Sequence, residues 1–205
     1  PISRARGGEA GPLWLVSSEQ MTGRGRRGNA WQTARGNLAA SLLLTSDLSP
    51  AVLAQLGFVA GVALAQALDD VCCTGGAGRS RLFALKWPND LLAEGRKLSG
   101  ILLQTEMLAE GKRAVVVGIG VNVRHVPEGI GYPTTSLRAL GFGIEAEELF
   151  AALSHAWCEA AASWDEGRGF AGIRQAWLDR AAGLDGPVAV HLRDERIEGR
   201  FETID

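Results

Sequence analysis

The sequence predicts an α+β domain: a mixed, mostly antiparallel sheet with helices packed on it. Three observations carry this. Short apolar runs bounded by turn residues recur at residues 13–17 (LWLVS) and 38–45 (LAASLLLT), as buried strands do. After Ser49-Pro50, apolar residues fall at helical spacing through Val52, Leu53, Leu56, Val59, Ala60, Ala63, Leu64, Ala67 and Leu68. A block of strands over residues 82–123 is then followed by two amphipathic helices.

In chain order, residues 1–11 are polar and glycine-rich and end in a turn at Gly11-Pro12. The first strand, 13–17, leads into an arginine-rich loop and then the second strand, 38–45. Ser49 offers a capping hydroxyl and Pro50 suits the first helical position, so one helix is expected from there to Leu68. The charge-free run 48–68 is long enough to raise a membrane span. Pro50, Gln55, Gln66 and its many alanines favour a buried helix instead. Residues 69–80 read as a glycine-rich connection.

Three strands are expected over residues 82–123. A hairpin turn at Glu94-Gly95 joins 91–92 to 97–106, and another Glu-Gly turn at 110–111 precedes 114–123. Loop follows at 127–133, then helices at 147–164 and 170–181. The tail, 187–204, alternates like one hairpin around Asp194-Glu195 and reads as the start of a small β module.

The chain of 205 residues suits one domain of ordinary size with a small appendage, and its 46% hydrophobic content fills a core. A net charge of −2 argues against general nucleic-acid binding. Cys72, Cys73 and Cys158 form no CxxC and no even framework, so they read as reduced core residues of a cytosolic protein. His125, His155 and His191 lack metal-ligand spacing.

Four motifs stand out. Residues 20–31, QMTGRGRRGNAW, interleave Gly23, Gly25 and Gly28 with Arg24, Arg26 and Arg27, and no acidic residue occurs from Gln20 to Ser46. Glycine permits close approach and arginine clamps carboxylates and phosphates, so the loop suits an anion. By itself it also reads as a solvated arginine-rich turn. GRGRRG matches the dinucleotide pattern, with Asp47 about twenty residues on, but no helix-forming stripe follows it, so that assignment is rejected. KWPND, residues 86–90, is a strand ending in a proline turn that presents Asn89 and Asp90. In RKLSGIL, Lys97 enters an apolar strand and calls for an anionic partner, either Asp90 or a ligand, while Gly100 allows close approach. GIGVN, 118–122, does the same through Gly118 and Gly120, with Asn122 available for hydrogen bonding. Each of the last three has an ordinary structural explanation taken singly: a turn satisfying itself, a lysine snorkelling at a strand edge, a kink in a sheet.

Taken in this order, the motifs resemble the catalytic domain of biotin protein ligases, whose fold is shared with lipoate ligases and related to class II aminoacyl-tRNA synthetases. The resemblance covers about residues 13 to 184 and implies a catalytic domain at 1–184. The tail, 185–205, is similar to the start of that family's SH3-like β domain. Two departures stand out. The family's Ser-Thr-Asn segment is absent and is expected upstream of Pro1. Asn29 stands where many members carry a basic residue, so one phosphate contact is either missing or supplied by Arg35.

The resemblance implies ATP-dependent activation of biotin as biotinyl-5′-AMP, then transfer to a lysine of a biotin carboxyl carrier domain of acetyl-CoA carboxylase or another biotin-dependent carboxylase. It implies Lys97, Arg26 and Asp90 as catalytic residues. Gln20, Gly23, Arg24, Gly25, Arg26, Lys97 and Gly100 would hold biotin. Arg24, Arg26, Arg27, Trp31, Asn89, Lys97 and Asn122 would hold ATP or the adenylate, with Trp31 over the adenine. Asp90 would serve Mg²⁺, itself carried mostly by phosphate oxygens and water. ATP and biotin are then substrates, with no tightly bound cofactor. The arginine loop is expected to order on ligand binding. A cytoplasmic location is implied, without membrane or nucleic-acid partners, and a homodimer is left open. A lipoate or octanoate enzyme of the same fold, a biotin-binding module without turnover, and an RNA-binding loop are the competing readings.

Overall fold

The structure is a computed structural model and describes residues 1–17, 19–28, 30–72, 82–127, 129, 131–191 and 196–204. Alternation in the central strands decides the architecture. In β4 (Leu38–Ser46), Leu38, Ala40 and Leu42 enter the main core, and so do Val115, Val117, Ile119 and Val121 of β8 (Arg113–Val121). Their neighbours Ala39, Ser41, Gly118 and Gly120 fall on the opposite face, as the period of two requires. β7 (Arg96–Met107) contributes Ile101 and Leu103 to the core side.

These strands form the middle of a six-stranded sheet. With β1 (Leu13–Ser17), β5 (Phe83–Lys86) and β6 (Asp90–Ala93), the order is β1-β4-β8-β7-β6-β5. Every pairing within it is antiparallel. β6 extends the short hairpin arm expected at 91–92 into a strand of four residues, paired on both sides. Its hairpin to β7 turns on Glu94 (φ 49°) and Gly95 (φ 74°). Two successive positive φ values match the right-handed twist of the flanking strands.

One face of the sheet is covered by helices. Ser49 caps the first, its Oγ accepting from Val52 N at 3.4 Å with Pro50 next in line. The expected single helix is divided into α2 (Pro50–Ala54) and α3 (Leu56–Val71) at Gln55. That residue's Oε1 accepts from the Trp164 indole at 2.8 Å. The run Pro50–Val71 has the length and hydropathy of a membrane span, yet it packs on the sheet and buries Leu56, Val59, Ala60, Ala63, Leu64, Ala67 and Leu68. α4 (Ala146–Trp164) buries Leu149, Leu153, Trp157 and Trp164, and Trp14 of β1 meets Phe150 and Trp157 edge-on. α5 (Phe170–Leu178) adds Ile173 and Trp177. Cys72 is buried as expected, whereas Cys158 is exposed because it lies on the outer side of α4; Cys73 is outside the described residues.

The other face is covered only in part. Residues expected to be irregular at the start form a short helix, α1 (Ile2–Arg6), whose Ala5 packs with Leu43, Ala114 and Val116. Arg6 ties it down through both oxygens of Glu106, at 2.6 and 2.9 Å. The expected arginine loop is instead a two-stranded ribbon, β2 (Gln20–Arg24) and β3 (Ala30–Thr33), joined through a 3-10 turn at Arg26–Gly28. Between helix and ribbon the sheet lies open. The tail pairs β9 (Pro187–His191) with β10 (Arg196–Arg200) as the expected hairpin; its turn, with Asp194-Glu195, is outside the described residues. The tail docks through Phe201 against Trp177, Arg174 onto the Ile204 carbonyl, and Ile204 itself, which is buried.

Candidate active site

The open part of the sheet is a groove of about 590 Å³ whose floor is made of strands and whose walls are the arginine ribbon and the 132–133 segment. Glycines open the middle of its floor. Gly120 of β8 and Gly100 of β7 stand directly opposite each other. The Trp31 indole lies on this pair: a Cβ on Gly120 would overlap the ring, and one on Gly100 would come within 3.2 Å of Cζ3. Gly23 is required for the same closeness, since a side chain there would collide with the Trp31 carbonyl and the Gln20 amide. Gln20 is steadied by Thr33, whose hydroxyl donates to its Oε1 at 3.1 Å.

Lys97 finds the anionic partner its position demanded. Its Nζ lies 2.7 Å from Asp90 Oδ1, both groups being mostly buried. The ammonium also lies 5.8 Å from the Trp31 ring centre and 5.3 Å from that of Tyr132, within reach of cation–π attraction. The lysine's backbone is pinned as well: its N–H donates to Pro133 and its carbonyl accepts from Thr135. The side chain is therefore held over the floor by charge, aromatic faces and main chain together.

The KWPND turn places Asn89 beside the ribbon. Asn89 Nδ2 donates to the Ile101 carbonyl at 2.9 Å, and its own carbonyl accepts from Ile101 N at 2.8 Å. This orients the remaining Oδ1 toward Arg26, which donates to it at 3.1 Å. Arg24, Gly25, Arg26, Lys86 and Lys97 all line the groove, and Asp90 is its single carboxylate among the described residues. Four cations against one carboxylate, over a glycine floor, suit a flat ligand carrying negative charge.

Most of the residues singled out from sequence come together here: Gln20, Gly23, Arg24, Gly25, Arg26, Trp31, Asn89, Asp90, Lys97 and Gly100 line one cavity. Asn122 does not. It is 1% exposed, its amide donates to the Thr135 carbonyl at 3.1 Å, and its own carbonyl accepts from Leu137 N. The Arg27 side chain and Asn29 lie outside the described residues. Gly23, Gly25 and Gly28 open no long helix, so the rejected dinucleotide motif is also absent from the structure. Lys86, Ser41 and Tyr132 were missed as site residues. Ser41 was legible, since it has the opposite parity to Leu38, Ala40 and Leu42. Tyr132 was not, because only folding brings its loop to Lys97.

The chain has counterparts among known proteins. Residues 9–122 match the model of the biotin/lipoate A/B protein ligase family. The chain is 40% identical over 204 residues to a biotin–[acetyl-CoA-carboxylase] ligase of Paracoccus denitrificans, covering 97% of this chain and 82% of that one. It is 30% identical to the bifunctional ligase/repressor of Escherichia coli, covering all of this chain and 61% of the other. Its fold superposes on the Aquifex aeolicus biotin protein ligase solved in complex with biotin and ATP, with a TM-score of 0.74 and 29% identity, over 94% of this chain and 78% of that one. The family match spans the ribbon, the lysine strand and the glycine floor alike, and by it the chain belongs to the biotin/lipoate A/B protein ligase family.

Proposed function

We propose that the protein activates biotin with ATP as biotinyl-5′-AMP and transfers the biotinyl group to a lysine of a biotin carboxyl carrier domain. The observation that carries this is Lys97, held by Asp90 beside a glycine-lined floor, in one cavity with Arg24 and Arg26. The relatives' names supply the substrates. In the first step a carboxylate oxygen of biotin attacks the α-phosphorus, and the bond to pyrophosphate breaks. Both reactants are anions, so the site must offset their repulsion and hold them in line. Lys97 lies where it can touch the carboxylate and the α-phosphate together. Arg26, oriented by Asn89, takes the phosphate side, and Arg24 assists; Gly23 and Gly100 let Trp31 lie against the floor, and Gly25 and Gln20 border the space left for the ring system.

In the second step the neutral amine of the carrier lysine attacks the acyl carbon, and AMP departs with the anhydride oxygen. Trp31 and the ribbon shield the anhydride from water. A resident metal does not fit this groove. Asp90 is its one carboxylate and faces Lys97, and no cluster of three potential ligands occurs among the described residues. Magnesium accordingly enters with ATP as part of the substrate, held by phosphate oxygens with Asp90 in reach. A cytosolic location, where ATP and reduced cysteines coexist, completes the proposal.

Incubation with biotin, MgATP and a carrier domain tests it. The expected result is a mass gain of one biotin on the carrier, with pyrophosphate release before transfer. Absence of both would refute it.

A further inference from the structure

The strand registers lay out the groove floor as a grid. One row runs Ala39, Gly120, Gly100 and Asp90 across four strands. The next row, two residues along each strand and so about 7 Å away, runs Ser41, Gly118 and Leu102. The third runs Leu43, Val116 and Gln104. Trp31 occupies the first row. The second row is open above Gly118, where an added Cβ would meet only Leu102, at 3.4 Å from its carbonyl oxygen and 3.8 Å from its Cβ.

The space over Gly118 is therefore a flat seat, with the indole on one side and Leu102 and Val116 on the others. Lys97 lies at the first-row end, beside Gly100 and Asp90. An acid with its carboxylate on Lys97 and a short methylene chain sets its ring head over Gly118. The one polar side chain of that row is Ser41. It lines the groove, and among the described residues its hydroxyl has no protein partner. A hydroxyl both donates and accepts. Covered by a ring that offers neither function, it loses water and gains nothing, which is how a polar group rejects a wrong substrate.

We propose that Ser41 is a specificity-determining residue, its hydroxyl bonding the polar ring of the acid seated over Gly118 and so selecting a cyclic-urea acid over one whose ring carries no N–H or C=O. This rests on the substrate reading above.

Titration calorimetry on the full chain with biotin and with lipoate tests it. Ser41→Ala is expected to raise the Kd of biotin about 5–10-fold, the scale of one hydrogen bond, while leaving that of lipoate in place. Ser41→Thr, which keeps the hydroxyl, retains the preference. Equal weakening of both acids by Ser41→Ala, or a biotin Kd that stays within about twofold of wild type, overturns the inference alone. A wild-type protein that takes lipoate and not biotin overturns both the inference and the substrate reading.

Discussion

Lys97 is the residue on which most of the proposed chemistry turns. In that proposal its ammonium replaces water as the partner of two anions that would otherwise repel. Lys97→Ala is expected to slow biotin-dependent pyrophosphate release by about 10²–10³-fold, as for loss of one preorganised electrostatic contact. A variant near wild-type rate would remove the assignment. Gly120 makes the complementary prediction by steric means. Any side chain there overlaps the Trp31 indole, so Gly120→Val should displace the ring at a cost of about 1–3 kcal/mol. It should also change tryptophan emission and weaken biotin binding. Unaltered emission with unaltered binding would show that the indole does not rest on the floor in solution. The lysine was legible in the sequence because a cation in an apolar strand demands a partner. Its second aromatic neighbour, Tyr132, was not, since 35 residues of chain separate the two and only sheet formation closes that distance.

At the scale of elements, two contacts decide how the groove is bounded. The helix Ile2–Arg6 closes one end through Arg6 and Glu106. The hydrogen bond from Arg6 comes first among the causes that hold the Glu106 carboxyl below its ordinary value. A depressed carboxylate contributes its stability above the ordinary pKa and loses it as pH falls through the lower folded value. The protection factors of residues 2–6, that is their amide exchange relative to the intrinsic rate at each pH, should therefore fall on acidification below about pH 4.5, and Glu106→Gln should abolish that fall. Protection that stays constant with pH in the wild type would argue against the tie. α3 backs the same sheet from the other side. Leu64 is fully buried there, and Leu64→Ala should destabilise by about 2–5 kcal/mol in denaturant titrations. Helix periodicity forecast this face of α3 correctly. It missed the helix at 2–6, whose five residues are too few for a periodic signal and whose hold comes from Glu106, 100 residues away.

Across the whole molecule, the groove is a ligand-sized gap in a sheet face that is otherwise covered. Ligands that bind only the folded state stabilise it by mass action, about 2.7 kcal/mol at a hundredfold excess over Kd. Biotin with MgATP should raise the Tm by about 5–10 °C and protect the ribbon at residues 20–33 from proteolysis. Lys97→Ala should diminish biotin's own shift and lose the further increment from ATP. Equal increments in both proteins would mean that the two substrates bind without meeting at the lysine. The sequence by itself determined the strands and helices of the core, because periods of two and 3.6 are local properties of the chain. It also determined the chemical character of the site, because glycines, arginines and a buried lysine announce themselves in place. Only the tertiary structure decided that the arginine stretch is a ribbon laid over Gly100 and Gly120, that Asp90 faces Lys97, and that Asn122 sits behind the groove. Those relations depend on register between strands far apart in sequence, where a shift of one residue would turn every floor glycine toward the core.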